Sequence, residues 1–232
     1  LRKQWAAEVR QVWQHAKVYT SSITAPTDKY LTHVQGGVGL IITKRWASRV
    51  VASGSDLLGK WVWVTLRGKR QEKLTIVCAY RPNPGGTHSG STTVWSQQHQ
   101  RYVEDATAKK EACLTDPREQ CLIDLSNWTL AARDRGEQAV LLMDANQLLE
   151  EQTVNYNLGN LVDNCDLMSA MNIKHPGASV NSTKTGSKMI DHILVANGTE
   201  ATITKCGQLP FNLGFDTNHC AVYTDMRVTE IL

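Results

Sequence analysis

Short apolar runs, each closed by a cluster of polar residues, recur along the chain at residues 74–79, 139–142, 189–195 and 220–223. Runs of this length, rich in Val, Ile, Leu and Thr, read as buried strands. Earlier in the chain the pattern predicts strands at 37–43, 47–53, 60–67 and 73–80, with turns at Gly54-Ser55-Asp56 and Arg67-Gly68-Lys69 and a short strand at 18–23. Trp5, Val9, Val12, Trp13 and Ala16 repeat at helical spacing, so residues 3–17 are expected to form an amphipathic helix with its aromatics in the core. Two further helices are predicted at 94–110 and 116–136. The second opens on Asp116-Pro117, an N-cap followed by the residue favoured at the first helical position, and closes at Gly136. Trp95, Tyr102, Leu122, Leu125 and Trp128 supply apolar faces to cover a sheet. With no linker and no repeat, the alternation of strands and helices predicts one α/β domain over 1–232.

The polar clusters are Tyr80-Arg81-Pro82-Asn83, Met143-Asp144-Ala145-Asn146, Ile190-Asp191-His192 and Thr217-Asn218-His219. Ends of neighbouring strands converge on one rim of a sheet, and a rim carrying Asp, Asn, Tyr and His is equipped for metal-assisted phosphate chemistry. Each cluster also has a plainer reading. Asp144 and Asn146 suit a turn that satisfies its own backbone, and Tyr and Pro-Asn are ordinary at a strand end. His192 follows Asp191 on one strand, so it is expected to face away from the site.

In this order and at these separations the clusters resemble the endonuclease/exonuclease/phosphatase family, and within it the apurinic-type nuclease domains of retrotransposable elements. Residues 36–42 and 59–68 support the match. The resemblance implies a four-layer α/β sandwich, two packed mixed β-sheets flanked by helices. It also implies a Mg²⁺- or Mn²⁺-dependent phosphodiesterase that nicks DNA. A noncatalytic remnant acting as a binding module, or a phosphatase of the same fold, are the competing readings. Carried onto this chain, Asp144 orients or deprotonates the attacking water, and Asn146 donates hydrogen bonds to water or phosphate. His219 contacts the scissile phosphate while Asp191 fixes its tautomer. Tyr80, Asn83 and Arg81 hold the substrate, and Asp144 and Asn218 hold the metal.

The chain departs from the family pattern at two points. Asn218 stands where the family has Asp, and an amide oxygen brings no charge to a cation. No counterpart of the family's first strand, bearing an Asn, or of its second, ending in Gln-Glu, precedes residue 36. The sandwich is therefore expected to be incomplete at its N-terminus, with exposed edges that a protein partner or a second copy completes. Asp216 is a further candidate to replace the missing carboxylate.

Charge alters this picture modestly. The net charge is +3, but residues 1–83 carry 14 Lys or Arg against 4 Asp or Glu, and the remainder 11 against 18. A basic part suited to tracking DNA and an acidic part suited to a metal is one reading; solvated turns and strand edges is the other. Six cysteines without CxxC spacing read as small buried hydrophobes and imply no zinc. No apolar run is long enough for membrane insertion and no signal-peptide core follows residue 1, so an intracellular setting is expected, nuclear if DNA is the substrate.

Overall fold

The computed structural model describes residues 2–23, 36–85, 92–151, 155–178, 180–186, 188–211, 213 and 217–227. In chain order the elements are α1 (Arg2–Val12), β1 (Lys17–Ser21), β2 (Val38–Ile42), the single turn α2 (Lys44–Ala47), β3 (Val50–Ser55), β4 (Trp61–Arg67) and β5 (Lys73–Tyr80). They continue with α3 (Val94–Ala108), α4 (Pro117–Asp134), β6 (Glu137–Asp144), α5 (Leu158–Asn164), β7 (Leu167–Ser169), α6 (Ala170–Lys174), β8 (Asp191–Ala196), β9 (Ile203–Gln208) and β10 (Val222–Met226).

Six strands form one mixed sheet in the order β3-β4-β5-β6-β8-β7. Its core strands are apolar on both faces, and the period-two alternation sorts them into two cores. Val62, Val64 and Leu66 of β4, Val140 of β6 and Ile193 and Val195 of β8 face one core; Trp61, Val77, Ala79, Leu141, Met143 and Leu194 face the other. The second core is closed by α4 and α5. Asp116 caps α4 by accepting from the Arg118 and Glu119 amides, and Leu122 and Leu125 on its inner face are fully buried. Trp128 extends this contact to Trp63, with ring centroids 5.6 Å apart.

The first core is closed by a layer made of two antiparallel pairs, β1-β2 and β9-β10, together with α6. Outside β1-β2 lies α1, whose Trp5 ring occupies the space a side chain at Gly39 would need. The layers are therefore helix, strand pairs, six-stranded sheet and helices, the α/β sandwich expected from the sequence. Among the described residues, no helix is long and apolar enough to cross a membrane.

Three local expectations need correction. The first helix ends at Val12 because β1 begins at Lys17, and its aromatics are not core: Val9 and Ala16 are buried, whereas Trp5, Val12 and Trp13 are exposed. Residues 44–47 form α2 before the strand predicted at 47–53 begins at Val50. The helix predicted at 116–136 ends at Asp134, two residues before the left-handed Gly136 that turns the chain into β6.

Lys60 is a buried charge in this frame, 2% exposed. Its Nζ lies 2.5 Å from Asp124 and 3.6 Å from Asp56, and it also donates to the Tyr102 hydroxyl. Burial pulls its pKa down, but Asp56, Tyr102 and Asp124 together more than reverse this and hold it above the ordinary lysine value. Removing one partner of such a cluster strands the others. Lys60→Ala is expected to cost about 3–5 kcal/mol in urea unfolding, and Lys60→Met no less, since Asp56 and Asp124 remain.

Candidate active site

The register of three strands assembles the rim. β5 runs parallel to β6 with Tyr80 beside Asp144, and β8 runs antiparallel to β6 with Asp191 opposite Asp144. Tyr80, Asp144 and Asp191 thus form one row at the sheet's end. The Arg81 amide donates to the Asp144 carbonyl and the Ala145 amide to the Ile190 carbonyl, continuing the ladder just past the strands.

His219 reaches this row through a separate clip. Its segment lies antiparallel to residues 182–184: Thr183 bridges to His219, the Lys184 amide donates to the Asn218 carbonyl, and the Cys220 amide donates to the Ser182 carbonyl. The Ser182 hydroxyl, completely buried, accepts from the Ile190 and Asp191 amides. One short segment therefore positions both partners of the pair. His219 Nδ1 donates to Asp191 Oδ2 at 2.8 Å, and Nε2 makes no hydrogen bond among the described residues.

Asp144, Asp191 and His219 each offer a ligand atom, and these atoms lie within 4.8 Å of one another. Burial, then the Asp191 carboxylate, push Asp144 up to about 6, with His219 and the Asn146 amide pulling partly back. Two carboxylates with one imidazole at this spacing fit a divalent cation, and a carboxylate held back from ionising is what a cation would relieve. Burial and Asp144 also raise the Tyr80 pKa, so its hydroxyl remains a donor at neutral pH.

Solved structures of low sequence identity share this architecture. A 3′-5′ exonuclease from Neisseria meningitidis superposes with a TM-score of 0.60 at 17% identity, over 95% of this chain and 82% of its own. An AP endonuclease from Archaeoglobus fulgidus superposes at 0.59 and 12% identity over the same shares. One from Leishmania major does so at 0.54 and 13% identity, over 97% of this chain and 83% of its own. This is the exonuclease/phosphatase fold. No protein-family model and no curated sequence matches the chain.

In an exonuclease/phosphatase fold carrying this sequence, the remaining candidates fall on both sides of the rim. Asn146 adopts a left-handed φ of 48° and donates its side-chain amide to the Arg81 carbonyl at 2.7 Å, while also bonding Tyr80. Asn83 is exposed and, with Tyr80 and Trp95, lines a cavity beside the row. Asn218 is exposed next to His219. His192 is buried away from the cluster, donating Nε2–H to the Gln147 carbonyl at 2.9 Å, and burial keeps its pKa low. Asp216 and the segment 86–91 lie outside the described residues.

Arg81 does not fit the role of a substrate ligand. It is 5% exposed and its guanidinium points inward, donating Nε–H to the Arg118 carbonyl and Nη1–H to Gln147 Oε1. The strand alternation that turns Tyr80 toward the rim turns its neighbour into the protein.

Arg118, at the start of α4, was not foreseen. Its two terminal nitrogens donate to the Pro82 carbonyl and, at 3.1 Å, to the Asn146 carbonyl. One planar fork thus ties together the loops that follow β5 and β6. Only the helix start at Asp116-Pro117 marks this region in the sequence, and it gives no hint of a partner 28 residues away. Arg118→Ala is expected to reduce cleavage about tenfold to a hundredfold by loosening Tyr80 and Asn146. Arg118→Lys should recover little, because an ammonium does not reproduce the fork; single-turnover rates of the two variants check this.

Proposed function

We propose that the chain is a Mg²⁺- or Mn²⁺-dependent phosphodiesterase that nicks DNA, of the kind found as endonuclease domains of retroelements. The observation that carries this reading is the contact of His219 with Asp191 beside a half-buried Asp144 of raised pKa. That set supplies a fixed imidazole and a carboxylate able to take a proton near neutrality. The retroelement assignment rests on the order and spacing of the sequence motifs. The fold neighbours named as a DNA-processing exonuclease and as AP endonucleases are consistent with a nucleic-acid substrate.

In this mechanism Asp191 holds the His219 ring with Nε2 toward the scissile phosphate. The Tyr80 hydroxyl donates to a phosphoryl oxygen, and Asn83 positions the same group. Asp144 orients the attacking water and accepts its proton, with Asn146 keeping the adjoining loops in place. Asp144 and Asp191, with Asn218 as a neutral oxygen donor, would hold the divalent ion, which when bound neutralises charge on the phosphoryl oxygens and leaving group.

Substrate class is tested by comparing abasic-site DNA, intact supercoiled DNA and p-nitrophenyl phosphate under the same metal conditions. Cleavage of either DNA with little turnover of the small ester is expected. Preferential turnover of the small ester would instead make the chain a phosphatase.

A further inference from the structure

The layer opposite α4 is split along its middle. β1 lies over β3 and β4, β2 over β4 and β5, and β10 over β8, so β2 and β10 are the inner strands of their pairs. β6 runs between β5 and β8 in the sheet beneath. Neighbouring strands lie about 4.8 Å apart, so the interval between β2 and β10 has room for one or two more. It holds instead an open cavity of about 330 Å³, floored by Ile76, Val140 and Leu142 and walled by Ile42 on one side and Thr224 and Met226 on the other. Leu142 also lines a second cavity of about 420 Å³, which continues past Val38 and Val222 to Asp144 and Asp191. The two make one groove. Val38 and Val222 stand at its catalytic end and Ile42 and Met226 at the other, so β2 and β10 run in the same direction along its walls.

Each wall is a strand paired on one side only, β2 with β1 and β10 with β9, among the described residues. Backbone donors and acceptors therefore face one another across an apolar floor, the combination that captures an extended chain by strand addition. Charge gives the groove polarity. At the far end the Arg45 and Arg49 guanidiniums both lie over Trp46, which lines the groove, and exposed Lys44 is adjacent. Asp144 and Asp191 occupy the opposite end.

We infer that this groove docks an extended β-strand from a second polypeptide, with apolar side chains at alternate positions and acidic residues at the end that meets Lys44, Arg45 and Arg49. Strand addition completes the layer above β6 and covers the exposed floor. Docking does not depend on whether the Asp144 cluster hydrolyses phosphodiesters, so binding and cleavage are separable.

The test uses fluorescein-labelled peptides of about ten residues, the length of a long strand, alternating Val and Thr and carrying three Glu at either the N- or the C-terminus. Peptides with three Lys are the counterparts. One Glu-ended peptide is expected to bind and to slow hydrogen exchange of the Val38–Ile42 and Val222–Met226 amides about tenfold or more. The charge reversal Arg45→Glu with Arg49→Glu, made on the surface to spare the fold, should weaken that peptide about tenfold and favour its Lys-ended counterpart. Absence of edge protection at saturating peptide would overturn the assignment, as would binding without it. So would edges already protected in the free protein, at every dilution or increasingly with concentration, because the chain itself or a second copy would then fill the groove.

Discussion

His219→Ala and Asp191→Asn are each expected to lower metal-dependent DNA nicking by about 10³-fold or more, and the double variant to be no worse than the poorer single one. The reasoning starts from the 2.8 Å contact between His219 Nδ1 and Asp191. An acceptor at that nitrogen fixes the tautomer and leaves Nε2 to meet the phosphate. An amide in place of Asp191 leaves the ring free to adopt the wrong tautomer or to rotate. Loss of a positioned proton donor typically costs about 10² to 10⁴ in rate, and groups that act as one unit are not additive. His219 and Asp191 remain partly exposed, at 30% and 17%, so neither variant should disturb the fold. Rates that multiply in the double variant, each substitution costing its own factor, would show that the two residues act separately.

Asp144→Asn should separate stability from activity in opposite directions. The carboxyl has a folded pKa of about 6 against an ordinary 3.8, raised by burial and by Asp191. For a group raised in the folded state, the stabilising contribution is fully present below the unfolded value and is lost as pH rises through the folded one. Above pH 6 the metal-free protein therefore carries an ionised Asp144. The cost is about 2–3 kcal/mol, the free-energy equivalent of that rise in pKa. Removing the charge should raise the Tm of the metal-free protein at about pH 7.5 by about 5 °C or more, a gain that disappears near pH 4. Mg²⁺ or Mn²⁺ should stabilise the native sequence and leave the variant almost unmoved. Thermal melts at the two pH values, with and without metal, read all three effects. Equal stabilisation of both proteins by the metal would place the ion elsewhere.

Much of the site was legible because strands announce both themselves and their ends. The apolar runs before Tyr80 and Asp144 correspond to β5 and β6, and the parallel register then sets those two residues side by side. The His219–Asp191 contact is different in kind. The residues are 28 positions apart, and only the motif order implied their meeting; the Ser182 clip that brings it about has no sequence signature. Arg81 was misassigned because it shares a motif with Tyr80, although neighbours on a strand face opposite ways. Arg118 went unseen for the converse reason, as a lone Arg in a helix start whose partners are backbone carbonyls. The helices α5 and α6 and the strands β7 and β9 are three to seven residues long, too short for periodicity to separate helix from strand. The splitting of the layer opposite α4 is a matter of which strands pair, which local pattern does not encode.

The most direct test of the account is nicking of supercoiled DNA by the purified chain in Mg²⁺ and in EDTA, beside His219→Ala. Conversion of supercoiled to open-circular DNA that requires the metal and is lost in the variant is the predicted result. Cleavage that persists in EDTA or in the His219 variant, or no cleavage by a folded chain at any metal concentration, would contradict it.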